Sequence, residues 1–140
     1  MKNSDSRVRI LVACSDQALK NRVVEAFSKS SSIWNESPSG LEALSMILHF
    51  PFDLAIIEAG LPCMDALELL LNAKEAHPAL GVIVLGVGDP ALREHLLLAG
   101  ADACLSPYFH EEDLLSAMQT ALGRPLGMSP RLSEHAPSEA

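Results

Sequence analysis

The chain has 140 residues, 49% of them hydrophobic, and a formal net charge of −8. Its length and composition predict one globular domain around a single core. No cluster of Lys and Arg provides a basic face, which argues against binding nucleic acid or an anionic membrane surface. No apolar run reaches the roughly 18 residues of a membrane span, and the start lacks a signal peptide. We therefore expect a soluble, cytoplasmic protein.

The three cysteines do not form a recognisable chemical motif. Cys14, Cys63 and Cys104 are an odd number at wide, irregular spacings. This pattern is neither a secreted disulfide framework nor a zinc site. The sequence predicts no metal and no cofactor.

Five short β-branched or apolar runs recur along the chain, each as long as one strand. The nearly continuous apolar character of most of them is typical of strands covered on both faces, whereas the more polar second run suits a sheet edge. The predicted strands are Arg9–Ala13, Ser32–Glu36, Asp53–Ala59, Leu80–Val87 and Ala103–Ser106.

A segment with helical periodicity follows each run. Good N-caps precede the first four helices, and the fifth is predicted over His110–Leu122. The predicted caps are Ser15 or Asp16, Ser39, Asp65, and Asp89 with Pro90 at the first helical position. The second helix carries an apolar stripe of Leu41, Leu44, Ile47 and Leu48, and the third one of Leu67, Leu70 and Leu71.

Regular alternation of strands and helices predicts a doubly wound α/β domain, with a parallel sheet and helices on both faces. In such sheets the functional crevice lies beyond the carboxyl ends of the strands. We divide the chain into a flexible amino terminus (1–6), one domain (7–123) and a Pro- and Ser-containing disordered tail or linker (124–140).

The domain resembles the receiver domain of two-component response regulators. The resemblance rests on Ile10-Leu-Val, Gly40-Leu-Glu-Ala-Leu, the stretch 53–70, Val82-Ile-Val-Leu and Gly100-Ala-Asp. It implies a flavodoxin-like (βα)5 fold with strand order 2-1-3-4-5. It also implies transfer of a phosphoryl group from a histidine kinase to an aspartate that ends the third strand.

Each position that carries this chemistry in the family departs from its pattern here. The resemblance places the phosphoacceptor at Glu58. The Mg²⁺-binding acidic pair, the hydroxyl residue, the lysine and the aromatic switch residue fall on Cys14 and Ser15, Gly86, Pro107 and Cys104, respectively.

These departures predict loss of phosphoryl chemistry. Mg²⁺ prefers carboxylate oxygens, which a thiol and a hydroxyl cannot replace. Without the metal and a cation, the charge of a transferring phosphoryl group is unbalanced. Glu58 is one methylene longer than aspartate, so its oxygen would be displaced by about 1 Å. We expect a non-enzymatic, phosphorylation-independent receiver that acts by protein contact.

Three alternatives remain open at this stage. Glu58 could act as a permanent mimic of the phosphorylated state, although the groups that would sense its charge are replaced. Another residue could accept the phosphoryl group. The cysteines could form a thiol-based sensor.

The fourth and fifth helices carry leucines that an amphipathic helix cannot fully bury. Leu97, Leu98 and Leu115, with Tyr108, flank the surface of the fourth helix, fifth strand and fifth helix that receivers use for partners. We expect a protein partner or a homodimer there. The tail after Gly123 resembles the linker to the DNA-binding output domain of LuxR-type transcription regulators, so the chain is expected to belong to a two-component transcription regulator.

Overall fold

The computed structural model describes residues 7–123 and contains five strands and five helices in strict alternation. The elements are β1 (Val8–Ala13), α1 (Gln17–Phe27), β2 (Ser32–Ser37), α2 (Gly40–His49), β3 (Leu54–Glu58), α3 (Ala66–Ala76), β4 (Gly81–Leu85), α4 (Pro90–Leu98), β5 (Ala103–Leu105) and α5 (Glu111–Leu122). The predicted termini, 1–6 and 124–140, lie outside the described residues.

The five strands form one parallel sheet in the order β2-β1-β3-β4-β5. This is the flavodoxin-like topology expected from the sequence. β2 is an edge strand and its side chains are mostly half-buried or exposed, in agreement with its polar sequence. The carboxyl ends of β1, β3 and β4 are therefore neighbours at one edge of the sheet.

Side chains from both faces of the sheet form the core. α2, α3 and α4 cover one face, over residues such as Leu11, Ile57 and Val84. α1 and α5 cover the other, over residues such as Ile10 and Ile83. Because the central strands are buried on both sides, their sequences are continuously apolar instead of alternating.

The predicted helix caps are confirmed and fix where the loops leave the sheet. Asp16, not Ser15, caps α1, with Oδ1 accepting from the N–H groups of Ala18 and Leu19. Ser39, Asp65 and Asp89 cap α2, α3 and α4 in the same way. Asp16 is thus held at the start of α1, next to the carboxyl end of β1.

Part of the predicted core is wrong on α2 and α3. Leu41 and Leu48 were assigned to the apolar stripe of α2 but are 60% and 52% exposed. Leu71 of α3 is likewise 51% exposed, and Leu69 is buried in its place. On α2 the buried side is formed by small residues together with Ile47, which let the helix lie close to the sheet.

Close approach of backbones explains Gly40 at the start of α2. Its N–H donates to the carbonyl of Pro62, and a Cβ at this position would overlap the carbonyl oxygen of Met64. The β3–α3 loop is thus packed directly against the first turn of α2. Among residues 7–123 no helix is both long and apolar enough to cross a lipid bilayer.

Candidate functional site

The carboxyl edge of the sheet brings together three of the predicted site residues. Cys14 and Ser15 follow β1, and Glu58 ends the neighbouring strand β3. Gly86 follows β4, the next strand along, and Pro107 lies in the loop after β5. All of them surround the crevice where ligands bind in parallel α/β sheets.

Glu58 is hydrogen-bonded to Ser15. Its Oε1 accepts from the backbone N–H of Ser15 at 2.7 Å and from the Ser15 hydroxyl at 3.1 Å. Both donors reach the same carboxylate oxygen, so the β1–α1 loop is tied to the end of β3. An oxygen that already accepts two hydrogen bonds is a poorer nucleophile, because attack requires that these bonds be given up.

Cys14 is a buried, neutral thiol. Its side chain is 3% exposed, and its Sγ donates to the carbonyl of Asp16 at 3.3 Å. Burial raises the pKa of Cys14 from 9.0 to about 12; a backbone hydrogen bond from Asp16 to the sulfur opposes the shift, and the nearby negative charge of Glu58 adds to it. The residue at this position therefore provides no negative charge at neutral pH.

The donor set at this edge does not fit Mg²⁺. Cys14 is a protonated sulfur, the near oxygen of Glu58 is occupied by Ser15, and Asp16 caps α1 through Oδ1. A hard cation of this kind needs oxygen ligands in near-octahedral geometry. Within the described range, no group of three or more His, Cys, Asp or Glu side chains could hold a metal ion.

Gly86 stands where the resemblance places a hydroxyl side chain, and its backbone conformation favours glycine. Its φ of 79° lies in the left-handed region, which a residue with a Cβ adopts only at a cost. No atom lies within 4 Å of the position of its missing Cβ. The backbone conformation therefore favours glycine at this strand end, and steric crowding does not require it.

The loop after β5 supplies no cation to the crevice. Pro107 stands where the resemblance puts a lysine, and its ring lies 3.9 Å from where a Cβ on Gly88 would be. The nearby Arg93 donates to the carbonyl of Cys104 at 2.6 Å. On the other face, the Arg22 guanidinium lies 4.2 Å from the centre of the Phe109 ring and donates to its carbonyl. These contacts bind the loop to the rest of the domain.

The remaining cysteines differ in accessibility. Burial raises the pKa of Cys104, and the positive charge of Arg93 opposes that effect. Cys63 is exposed in the β3–α3 loop, where its φ is 74°. The environments of the three thiols therefore differ: Cys14 and Cys104 are buried, and of the three only Cys63 faces solvent.

The leucines and the tyrosine predicted to lie at a partner surface are accessible to different extents. Leu98 and Tyr108 are 79% and 86% exposed, and Leu97 is 39% exposed. Leu115 is half-buried beside Glu111, Glu112 and Gln119 along α5. Leu96, by contrast, is fully buried, because a helix can bury only one face of three consecutive leucines.

Sequence reasoning did not anticipate the hydrogen bonds between Ser15 and Glu58. A signal for them was present: in the 2-1-3-4-5 order the ends of β1 and β3 are adjacent, so a carboxylate after one and a hydroxyl after the other must lie close. Cys14, directly after β1, is buried, as is common for cysteine.

Comparison with known proteins gives a consistent result. No family model matches the chain. Response regulator MprA of Mycobacterium ulcerans (strain Agy99) is 31% identical over 119 residues, which is 84% of this chain and 51% of that protein. The chain thus spans about half the length of the curated relatives that it matches.

Solved structures share the fold. The CheY-like response regulator receiver domain protein from Methanospirillum hungatei JF-1 is 27% identical, with a TM-score of 0.78, over 84% of this chain and 95% of that one. The beryllofluoride-activated NtrC4 receiver domain dimer has a TM-score of 0.76 at 21% identity, over 82% of this chain and 96% of that one. The topology, the sequence relatives and these structures agree: the described part of the chain has the fold of CheY-like response regulator receiver domains and is similar to them in sequence.

Proposed function

We propose that this receiver domain works in two-component signalling without being phosphorylated, and that it acts through contact with another protein. The observation that carries the proposal is the pairing of Glu58 with Ser15. At the position where the family places its phosphoacceptor, the carboxylate is one methylene longer and its near oxygen is occupied by two donors. The same oxygen cannot serve as a free nucleophile while it holds the β1–α1 loop.

The surroundings of Glu58 support the proposal. A transferring phosphoryl group needs a metal ion and a cation to balance its charge. Here Cys14 is neutral and buried, Gly86 has no hydroxyl, and Pro107 replaces the lysine. The same replacements argue against Glu58 as a mimic of the phosphorylated state, because the groups that would respond to its charge are gone.

Incubation with acetyl phosphate and Mg²⁺, followed by intact mass spectrometry, tests the proposal. We expect no gain of a phosphoryl group, while a receiver with the full acidic pair, aspartate and lysine gains one under the same conditions. The matched variant Glu58→Asp should also stay unmodified, because a shorter carboxylate alone supplies neither metal ligands nor a cation. A phosphoryl adduct on the unaltered chain would overturn the proposal and favour a non-standard acceptor residue.

The structure gives less support to the thiol-sensor alternative. Redox sensing needs an accessible thiolate. The pKa values of Cys14 and Cys104 are raised by burial, so both stay protonated at neutral pH. Cys63 is the accessible thiol among the three, and it has no second cysteine on its own loop.

We place the partner contact on the surface formed by α4, β5 and α5, named here the α4–β5–α5 surface. Leu98 and Tyr108 are its most exposed apolar groups. Its net charge is strongly negative. From residue 89 to residue 123 the sequence has one Arg, Arg93, and no Lys, against six acidic residues, of which Asp102 pairs with Lys74 of α3: Asp89, Glu94, Asp102, Glu111, Glu112 and Asp113. A partner with a basic rim around an apolar centre fits it best.

A second copy of the chain is the other candidate for the same surface. The NtrC4 receiver forms a dimer. A symmetric dimer, however, would bring two copies of the same acidic surface together, and like charges that face each other at an interface cost free energy. We therefore favour a different protein here.

The wider role is also a proposal. We place the protein in the cytoplasm as part of a two-component transcription regulator, with no nucleic acid bound by this domain itself. The link to a LuxR-type output domain rests on residues 124–140, which lie outside the described part of the chain.

A further inference from the structure

The segment that joins β5 to α5, named here the β5–α5 loop (residues 106–110), is short and internally hydrogen-bonded. The N–H groups of Tyr108 and Phe109 both donate to Ser106, to its Oγ and its carbonyl respectively, each at 3.2 Å. Phe109 is 6% exposed and packs in the core, whereas Tyr108 beside it is 86% exposed. The loop therefore directs one aromatic side chain inwards and the preceding one into solvent.

Both ends of this loop are bonded to the elements that flank it. Before the loop, the Leu105 carbonyl accepts from the N–H of Val87, two residues after β4, at 2.9 Å. After it, the N–H of His110 donates to Asp113 Oδ2 at 2.8 Å, in the first turn of α5. These bonds fix where the main chain enters and leaves the loop.

Two arginines from different helices bond the same segment to the rest of the domain. Arg22 of α1 donates through Nη2 to the Phe109 carbonyl at 2.7 Å, and its guanidinium lies 4.2 Å from the centre of the Phe109 ring. Arg93 of α4 donates through Nη1 to the Cys104 carbonyl at 2.6 Å. Hydrogen bonds from a charged donor are among the stronger ones in proteins. Because α1 and α4 cover opposite faces of the sheet, the segment is held from both sides.

We propose that Arg22 and Arg93 are positioning residues that hold the β5–α5 loop in one conformation, in which Tyr108 is presented to a partner without an activating signal. The inference rests on the proposed function, because it takes the α4–β5–α5 surface as the partner surface. It adds the cause that keeps this surface formed, namely two guanidinium groups bonded to main-chain carbonyls. At position 104, where the resemblance places a switching aromatic, the side chain is a buried thiol.

The test needs variants that remove the hydrogen bonds but keep the apolar part of each side chain. Arg22→Met and Arg93→Met do so, because methionine has a long unbranched side chain and no N–H donor. Both arginines lie at the surface, so each variant should keep the circular dichroism spectrum of the unaltered chain. Lys20→Met is the matched control: it removes a cation of α1 that pairs with Glu36 at 2.7 Å, away from the loop.

NMR relaxation dispersion of the backbone amides measures exchange between conformations on the microsecond to millisecond timescale. Without any phosphoryl donor, we expect no dispersion at Tyr108 and Phe109 in the unaltered chain or in Lys20→Met. Arg22→Met and Arg93→Met should each produce dispersion there. Loss of a hydrogen bond from a charged donor should raise the population of a second loop conformation by about tenfold.

Two results would refute the proposal directly. Dispersion at Tyr108 and Phe109 in the unaltered chain would show that the loop already exchanges between conformations. Absence of dispersion in both arginine variants would show that the loop keeps its position without these contacts. Dispersion that extends in the variants to Ile10 and Ile56, buried in the central strands, would indicate general destabilisation and would contradict a positioning role.

The outcome for this inference is separable from the outcome for the proposed function. Intact mass after incubation with acetyl phosphate reports on phosphorylation, whereas relaxation dispersion without a phosphoryl donor reports on the loop. A phosphoryl adduct together with dispersion only in the arginine variants would overturn the proposed function and retain the positioning role of Arg22 and Arg93. An unmodified chain whose loop exchanges would do the reverse.

Discussion

At the scale of single residues, Glu58 lies where ligands bind but is already hydrogen-bonded within its own chain. It is a carboxylate at the carboxyl edge of a parallel sheet, where ligands bind, yet it is bound by a neighbour of its own chain. The Ser15 N–H and hydroxyl both donate to Oε1 of Glu58. The side chain therefore contributes to structure by joining the end of β3 to the β1–α1 loop.

Cys14, next to Ser15, is part of the protein interior. A thiol can be buried at this position without a counter-charge, because it is neutral below its pKa. The Cys14 thiol donates a hydrogen bond to the carbonyl of Asp16, two residues along the chain. Cys14 thus extends the core beneath α1 and α5.

The raised pKa of Cys14 predicts a specific pH dependence of stability. Its ordinary value is 9.0 and its value in the folded protein is about 12. Below pH 9 the thiol is protonated in both the folded and the unfolded state, so its contribution is fully present. As pH rises from 9 towards 12, the unfolded state loses the proton first, and the free energy of unfolding falls.

Chemical denaturation between pH 7 and pH 11 measures this effect. The loss of stability above pH 9 should be smaller in Cys14→Ala than in the unaltered protein, since the variant lacks that titrating group. Cys63→Ala is the matched control, because it removes an exposed thiol and should leave the pH dependence unchanged. Identical pH profiles for all three proteins would show that Cys14 is not buried as described.

At the scale of an element, the end of β4 shows how backbone conformation restricts the site. Gly86 has a φ of 79° in open surroundings. A threonine or serine there would have to adopt the left-handed conformation or change the path of the loop. A hydroxyl side chain at position 86 would therefore require a change in the backbone as well as in the side chain.

Gly86→Ala should lower the free energy of unfolding by about 1–2 kcal/mol, the usual cost of a left-handed conformation for a residue with a Cβ. Gly88→Ala, two residues further on, has an ordinary φ and only distant contact with Pro107, so it should change stability by less than about 0.5 kcal/mol. Urea denaturation of the two variants gives the comparison. Equal effects would contradict a conformational role for Gly86.

At the scale of the whole molecule, the fold could be predicted because local and global signals agree. Continuous apolar strands, Asp and Ser caps, and the polar edge strand β2 all indicate the same doubly wound sheet. The strand order followed from the resemblance to receivers. These features depend on sequence patterns of two to seven residues, which are visible without coordinates.

The features that could not be predicted depend on contacts between distant segments. The segment 41–48 is apolar on most sides, so periodicity alone could not show that Ile47 is buried while Leu41 and Leu48 are exposed. The Ser15–Glu58 hydrogen bonds join residues 43 positions apart. The burial of Cys14 likewise depends on α1 and α5 closing over it.

The most direct test of the central claim is a Mg²⁺ titration followed by two-dimensional NMR of the amide groups. The receivers that this chain resembles need that ion for phosphoryl transfer, and the donor set at the sheet edge does not fit it. We predict no saturable shift of the amide signals of Ser15, Glu58 and Gly86 up to millimolar Mg²⁺. Saturable shifts confined to these three residues would show a working metal site and would contradict the account.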